Sequence, residues 1–498
     1  MLRATSRRWS WHAVFCGLVV VSWLGLAGTA NGADARRTSD FIDSIGVNTH
    51  SYYGAPPYED YVWREKLLAS GVRHIRENLQ RDSPKQVARI NDLFDAGGID
   101  VAFIFDPRSD RGGSVSDLVS QLKGSMLAAT AQVEGPNEYE TAHRADWELV
   151  AEGARAYQED LYSAIKSDPA TAHLTVLGPS VAYPSSYAAW GDLSASLDEG
   201  NMHSYPGGRP PSANLRQWIT AAATTSGAKP VQATETGYHN ALLTTNGHLP
   251  ASERAAAIYV PRTFLEYFRE GVKRTYAYEL LSEGTSESNA EHNFGLLRND
   301  YSDKPAMVAL RNLIRLLDEP GFPLTSESPL TPPALAYSPA SADDPGSSST
   351  AGSLNYSLID LPTDVRQLLL QKSDGSFWLA LWREVSVWDE VDRIALDRSR
   401  PEVTLVLHDP VTSARSYLPN ISTAPLREWL APSQLTLNVG PEVTLVEIIP
   451  ATRTDTSTIP VGEPTTTPTP GAVGDPTPTA TPGPNGDPTP TSTPTVNP

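Results

Sequence analysis

Glu138 and Glu235 are the residues in this chain best placed by type and context to do chemistry. Each closes a short apolar run, Val133-Glu134-Gly135-Pro136-Asn137-Glu138 and Val231-Gln232-Ala233-Thr234-Glu235-Thr236-Gly237-Tyr238, and they lie 97 positions apart. Two carboxylates at the mouths of two strands, in a chain that alternates strand and helix, are what cleavage of a glycosidic bond requires. One protonates the leaving oxygen and the other attacks the anomeric carbon.

Positioning such a pair takes a rigid frame, and the surrounding sequence reads as one. Eight strand-like runs (Ile45–His50, Val72–Arg76, Ile99–Phe105, Ala131–Gly135, Leu174–Pro179, Gly200–His203, Pro230–Glu235 and Val272–Glu279) are separated by helical stretches around Tyr58–Ala69, Pro84–Ala96, Val115–Leu127, Ala145–Ser167, Ser186–Leu197, Ala213–Thr225 and Ser252–Arg269. A last helix over Pro305–Leu317 gathers Met307, Leu310, Leu313, Ile314 and Leu317 on one face. Alternation of this kind implies parallel strands with crossover helices, and eight repeats predict an α/β fold of the (β/α)8, or TIM-barrel, type over residues 40–322. No G-x-G-x-x-G or Walker-type loop follows the first strand, which argues against dinucleotide and phosphate chemistry.

Beyond Gly321 the texture changes. A Pro-, Ser- and Ala-rich loop (about 326–352) leads into β-like runs at Leu354–Leu361, Val365–Gln371, Phe377–Trp382, Val403–His408, Leu435–Val439 and Val443–Ile449, with Asp374-Gly375 a hairpin signal. A small antiparallel β-sandwich is expected over residues 323–450. From 451 to 498 the chain is Thr, Pro, Gly and Asp repeats without aromatics, a composition that buries too little surface to order itself, so a disordered stalk able to associate with a cell wall or glycan is expected.

At the other end, Arg3, Arg7 and Arg8 precede an apolar run and Ala33-Asp34-Ala35, the pattern of a secretory signal peptide over 1–35; Ser6-Arg7-Arg8-Trp9 also suits twin-arginine export. The single cysteine, Cys16, falls in this leader, so the mature chain has neither disulfides nor cysteine metal ligands. A net charge of -19 makes nucleic acid and anionic lipid poor partners and a neutral carbohydrate a good one. The expected location is extracellular, with no membrane insertion once the leader is gone.

The C-terminal ends of the predicted barrel strands carry His50, Arg76, Asp106, Asn137, Glu138, His203, Tyr205, Glu235, Tyr238, Tyr278 and Glu279, too polar a set for hydrophobic strands chosen at random. With Asn137-Glu138 closing the fourth strand, Glu235 the seventh, Arg76 near the end of the second, and His203 and Tyr205 near the sixth, the chain resembles the clan A glycoside hydrolases, retaining enzymes on a (β/α)8 barrel. The resemblance covers roughly residues 43–318. It implies a double-displacement mechanism with Glu138 as acid and Glu235 as nucleophile, and it needs no cofactor or metal. Many members end the eighth strand with a tryptophan; here the run is Tyr276-Ala277-Tyr278-Glu279-Leu280, so the floor of the sugar site differs.

Under this reading Arg76 keeps Glu235 ionised, Asn137 donates to a sugar hydroxyl, and His203, Tyr205, His50, Tyr238, Tyr278 and Glu279 contact substrate or orient the glutamates. Asp106, before Pro107, reads as a loop cap, and Glu134 as an interior barrel charge paired with an arginine. Trp190, Trp218, Tyr52, Tyr53 and Tyr183 are candidates to stack on sugar faces, although tryptophans on helices serve the core more often. Two rival readings use the same residues: a metal-dependent hydrolase built on His50, His203 and His239, unsupported by any H-x-H or H-E-x-x-H spacing, and a non-catalytic carbohydrate-binding protein on a decayed barrel.

Overall fold

Each predicted strand carries apolar residues that a parallel sheet buries against its covering helices, with polar residues such as Arg76, Glu134 and Gln232 buried inside the ring. The computed structural model describes residues 31–108, 113–245, 247–319 and 351–451. Strands β1 (Ile45–Asn48), β2 (His74–Asn78), β3 (Asp100–Ile104), β4 (Thr130–Glu134), β5 (Thr175–Leu177), β6 (Gly200–His203), β7 (Val231–Thr236) and β8 (Thr275–Ala277) pair in the order β5-β4-β3-β2-β1-β8-β7-β6. A parallel bridge between Leu177 and Glu199, the residue before β6, closes the ring. The chain is a (β/α)8 barrel.

Helices α1 (Trp63–Ser70), α2 (Pro84–Gly97), α3 (Val115–Ser125), α4 (Trp147–Ser167), α5 (Tyr187–Trp190), α6 (Leu215–Ser226), α7 (Glu253–Arg269) and α8 (Pro305–Leu317) surround it. Local signals fix several ends. Ser83 caps α2 by accepting from the Gln86 amide at 3.3 Å, Pro84 starts its first turn, and Gly98, in the left-handed region, stops it. The helix expected over Ser186–Leu197 is one turn long, because Gly191 at φ 62° ends it; Leu193 and Leu197 are still buried, but from irregular backbone.

The C-terminal region is the expected antiparallel sandwich, with additions. One sheet has four strands, Asn31–Asp34, Ser353–Ile359, Glu402–Leu407 and Gln434–Asn438, in that order. The other has six: Arg427–Leu430, Val411–Tyr417, Thr444–Pro450, Phe377–Arg383, Val365–Gln371 and Arg36–Arg37, the last pairing parallel to its neighbour. Along Phe377–Arg383, Leu379 and Leu381 face the sandwich core with Leu405, Leu437 and Val446, while Trp378, Ala380 and Trp382 join the core of the barrel. The Phe377–Arg383 strand is therefore buried on both faces. A fully buried ion pair, Arg262 of α7 to Glu384 at 2.6 Å, pins the junction, and Trp382 Nε1 donates to the same carboxylate at 2.9 Å.

The residues around the leader boundary expected at Ala35 are paired with the sandwich. Asn31–Asp34 is an edge strand in register with Ser353–Tyr356, Arg36–Arg37 pairs with Leu370–Gln371, and Ala35 is buried between them. Small residues that satisfy a cleavage pattern also satisfy an edge strand, so the folded region starts before that boundary. The leader itself, the loop over 320–350 and the tail over 452–498 lie outside the described residues. No helix among the described residues is long and apolar enough to cross a membrane.

Candidate active site

Arg76, midway along β2, is the hub of the barrel mouth. It is 2 % exposed, and all five of its N–H donors are spent. Nε and Nη2 form a fork on Glu134 of β4 at 2.6 and 2.7 Å, Nη1 donates to Asn48 Oδ1 of β1 at 2.9 Å and to Glu235 Oε1 at 2.7 Å, and Nη2 donates to Asn137 Oδ1 at 2.7 Å. One guanidinium thus ties β1, β2, β4 and β7 together. Glu134 pairs with an arginine, as its place in the sequence suggests.

Glu235 reaches this hub because β7 carries an irregularity. The β6–β7 register runs Met202 to Ala233 and then His203 to Glu235, skipping Thr234. Thr234 and Glu235 consequently both face inward, against strict alternation. Glu235 Oε2 accepts from the Tyr205 hydroxyl at 2.7 Å. Burial alone would raise its pKa, but the charges of His203 and Arg76 and the hydrogen bonds from Tyr205 and Arg76 prevail and hold it below the ordinary carboxylate value. Gly237 follows because a Cβ there would sit 2.1 Å from the Tyr278 carbonyl oxygen.

Glu138 takes the left-handed conformation, φ 41° and ψ 45°, and its amide donates to Ser180 O at 3.1 Å. A non-glycine residue held there is strained by about 1–3 kcal/mol. His203 lies between the two glutamates, Nδ1 being 2.8 Å from Glu138 Oε1 and 3.4 Å from Glu235 Oε2. Thr234 Oγ1 donates to Asn201 Oδ1 at 2.7 Å, so in its 3.1 Å contact with His203 Nε2 the hydroxyl oxygen accepts from the Nε2–H. Nδ1 is the ring nitrogen that faces Glu138. Burial would lower the His203 pKa, but the charge of Glu235 and the bond to Glu138 raise it.

The opposite wall is acidic and aromatic. His50 stacks on Tyr53 with centroids 4.7 Å apart, and Tyr52, Tyr58 and Tyr278 meet it edge-on. Glu279 is fully buried; its Oε2 lies 3.2 Å from His50 Nε2, within ion-pair range but off hydrogen-bond geometry, and Oε1 has no protein partner among the described residues. Burial, then the charge of Glu291, drives the Glu279 pKa well up. Burial also pushes Glu283 and Glu77 up to about 7. The Tyr278 hydroxyl donates to Glu291 at 3.1 Å, and Phe294 packs against both Tyr278 and Tyr205.

Of the residues singled out in the sequence, Arg76, Asn137, Glu138, His203, Tyr205 and Glu235 converge on one cluster, with His50, Tyr278 and Glu279 beside it. Tyr238 does not join them: its ring stacks on Tyr259 in the core, and its hydroxyl donates to the Arg209 carbonyl at 3.1 Å. Asp106 caps its loop, accepting from the Arg108 amide at 2.9 Å, and Trp190 and Trp218 are core residues. Glu77, Glu283, Glu291, His248 and Phe294 are additions, all but Glu77 from loops.

Two sets could each offer a metal three ligand atoms within 4.8 Å of one another: His50, Glu279 and Glu283, and Glu138, His203 and Glu235. In the second, Arg76 already supplies the positive charge. His239, the third histidine of the metal reading, lies apart, its Nε2 on the His248 carbonyl at 2.7 Å.

The same architecture occurs in solved structures. A family 39 glycoside hydrolase from the gut symbiont Bacteroides cellulosilyticus WH2 superposes with a TM-score of 0.53 at 15% identity over 82% of each chain. A GH39 enzyme from Xanthomonas axonopodis pv. citri gives 0.50 at 14% identity, covering 84% of this chain and 96% of that one. This chain shares their fold. No protein-family model and no curated protein matches it. At such identities the likeness is one of fold, and the chemistry has to be argued from the residues.

The buried Glu279 makes a testable statement about stability. A carboxyl whose folded pKa is raised binds a proton in the native state that the unfolded chain gives up, so stability falls by about 1.4 kcal/mol per pH unit between the unfolded and folded values. Glu279→Gln keeps the shape of the protonated acid and removes that dependence. Its Tm relative to the parent protein should therefore rise steadily from pH 5 to pH 8. A constant difference in calorimetry across that range would refute the assignment.

Proposed function

We propose that this protein is a secreted, retaining glycoside hydrolase that cleaves β-glycosidic bonds of a poly- or oligosaccharide by double displacement. The observation that carries the reading is the spacing of the glutamates: an oxygen of Glu138 and one of Glu235 lie within 4.8 Å of each other. Retaining enzymes hold their carboxyl groups ~5–5.5 Å apart, whereas inverting ones leave ~6.5–9.5 Å for a water.

In the first step the Glu138 proton passes to the leaving oxygen while a Glu235 oxygen bonds to the anomeric carbon, and the glycosidic bond breaks. In the second, Glu138, now a carboxylate, takes a proton from water as the water oxygen displaces Glu235. His203 orients Glu138 through the 2.8 Å contact of its Nδ1, and Arg76 and Tyr205 keep Glu235 ionised. The Asn137 carbonyl oxygen is occupied by Arg76 and by the Ser180 hydroxyl at 3.1 Å, which leaves its amide nitrogen to donate to the sugar 2-hydroxyl.

The wall formed by Glu279, Glu283 and Glu291, whose carboxyls burial biases toward the neutral form, offers hydrogen-bond donors and acceptors to the hydroxyl groups of a glycone. Aryl β-xylosides, glucosides and galactosides should include a substrate. Proton NMR of the first-formed sugar should show the β-anomer, and chelators should leave the rate unchanged. Release of the α-anomer would sink the double displacement; dependence on added metal would favour the metal reading.

A further inference from the structure

The hairpin Trp388–Asp389 paired with Ile394–Ala395 brings the sandwich domain to the loop after β7, beside the catalytic cluster. Its turn is preorganised, since Asp389 Oδ1 accepts from the amides of Val391 and Asp392 at 3.0 and 2.8 Å, and Arg393 takes the left-handed region at φ 57°. From there Arg393 reaches into the loop after β7, its Nη1 on the Leu242 carbonyl and its Nη2 on that of Thr244 at 2.7 Å. The Trp388 indole donates to the Pro250 carbonyl at 2.9 Å, so the loop is held at both ends. Gly208, on the loop after β6, is a glycine for the same reason: a Cβ there would lie 2.4 Å from Glu390 Cβ and 2.5 Å from Pro250 O.

Between these two anchors the β7 loop carries His248, whose ring stacks on Tyr205 at 4.7 Å and 23°. Tyr205 in turn donates to Glu235. The path from sandwich to nucleophile therefore has four contacts: Arg393 to the loop backbone, the loop to His248, His248 to Tyr205, Tyr205 to Glu235. Pieces bonded this way shift together, and the hydroxyl at the end of the path must stay near 2.7 Å from Glu235 to favour its ionised form.

We infer that the 388–395 hairpin makes the sandwich domain a working part of the active site, with Arg393 a positioning residue that holds His248 on Tyr205 and thereby Tyr205 on Glu235. The inference rests on the glycosidase reading of Glu235, but one arm of its test does not. Hydrogen exchange on the full chain should show faster exchange in Arg393→Ala at the amides of Thr244 and Ala251, which bond to Ala241 O at 3.1 Å and His239 O at 3.0 Å, with an unchanged Tm. That measurement decides the mechanical claim even if no sugar is cleaved.

On an aryl glycoside that the parent protein hydrolyses, Arg393→Ala should lower kcat/KM at least ~10-fold and move the acidic limb of its pH profile upward, with Arg393→Lys recovering part of both. Tyr205→Phe should move the limb the same way, and adding Arg393→Ala to it should change little more, as expected for residues acting through one contact. Unaltered exchange, or additive effects with an unmoved acidic limb, would overturn the inference. A parent protein inactive on every glycoside would instead overturn the proposed function.

Discussion

Glu235→Ala should lose turnover on every substrate, by at least ~10⁴-fold, because nothing else in the cluster can form the bond to the anomeric carbon. Glu138→Ala should behave differently. Natural glycosides need a proton on the leaving oxygen and should slow by about 10²–10⁴-fold, while aryl glycosides with acidic leaving groups should form the glycosyl-enzyme nearly as fast as before. Azide should rescue Glu138→Ala with the β-azide as product, since it attacks a covalent intermediate from the face Glu138 once served. Any rescue of Glu235→Ala should give the α-azide. The reverse pattern of products would exchange the two roles.

The second large effect is expected at Arg76. Arg76→Met removes the cation facing Glu235, so the nucleophile should protonate at higher pH and the acidic limb of kcat/KM should move upward. The same change strips Glu134, which is 0 % exposed, of both its hydrogen bonds from Arg76. An unpaired carboxylate at that depth should cost about 3–5 kcal/mol of stability. Pairing the substitution with Glu134→Gln should recover most of the Tm and leave the limb displaced, which separates the structural burden from the electrostatic one. If the limb stays where it was in a folded double variant, Arg76 serves only Glu134.

The barrel could be read from sequence because its strands are short, apolar and regularly spaced, and because their polar ends are where side chains must converge. Prediction failed where tertiary contacts outrank local pattern. Val411–Tyr417, interrupted by Ser, Ala and Arg, is held by the edge of Thr444–Pro450, and Arg427–Leu430, with a single aromatic, pairs in turn with Val411–Tyr417. Tyr238 looked like a site residue by position, yet the turn at Gly237 sends its ring into the core. Glu235 faces the cluster through an irregular register that no residue type announces. Glu283, Glu291, His248 and Phe294 sit on loops after β7 and β8, whose course is set by the hairpin of another domain and by packing within the mouth.

The pairing of Asn31–Asp34 with Ser353–Ile359, and of Arg36–Arg37 with Leu370–Gln371, has a temporal side. At ~5–20 residues per second, these strands leave the ribosome tens of seconds before their partners, which are encoded more than 300 positions later. Contacts of such span are slow to close, and until they do the incipient sandwich keeps an open edge. The two domains are consequently not beads on a string. A chain cut after α8 would keep Glu138 and Glu235 and remove the described partners of Asn31–Arg37, so the barrel and the sandwich have to be engineered as one piece.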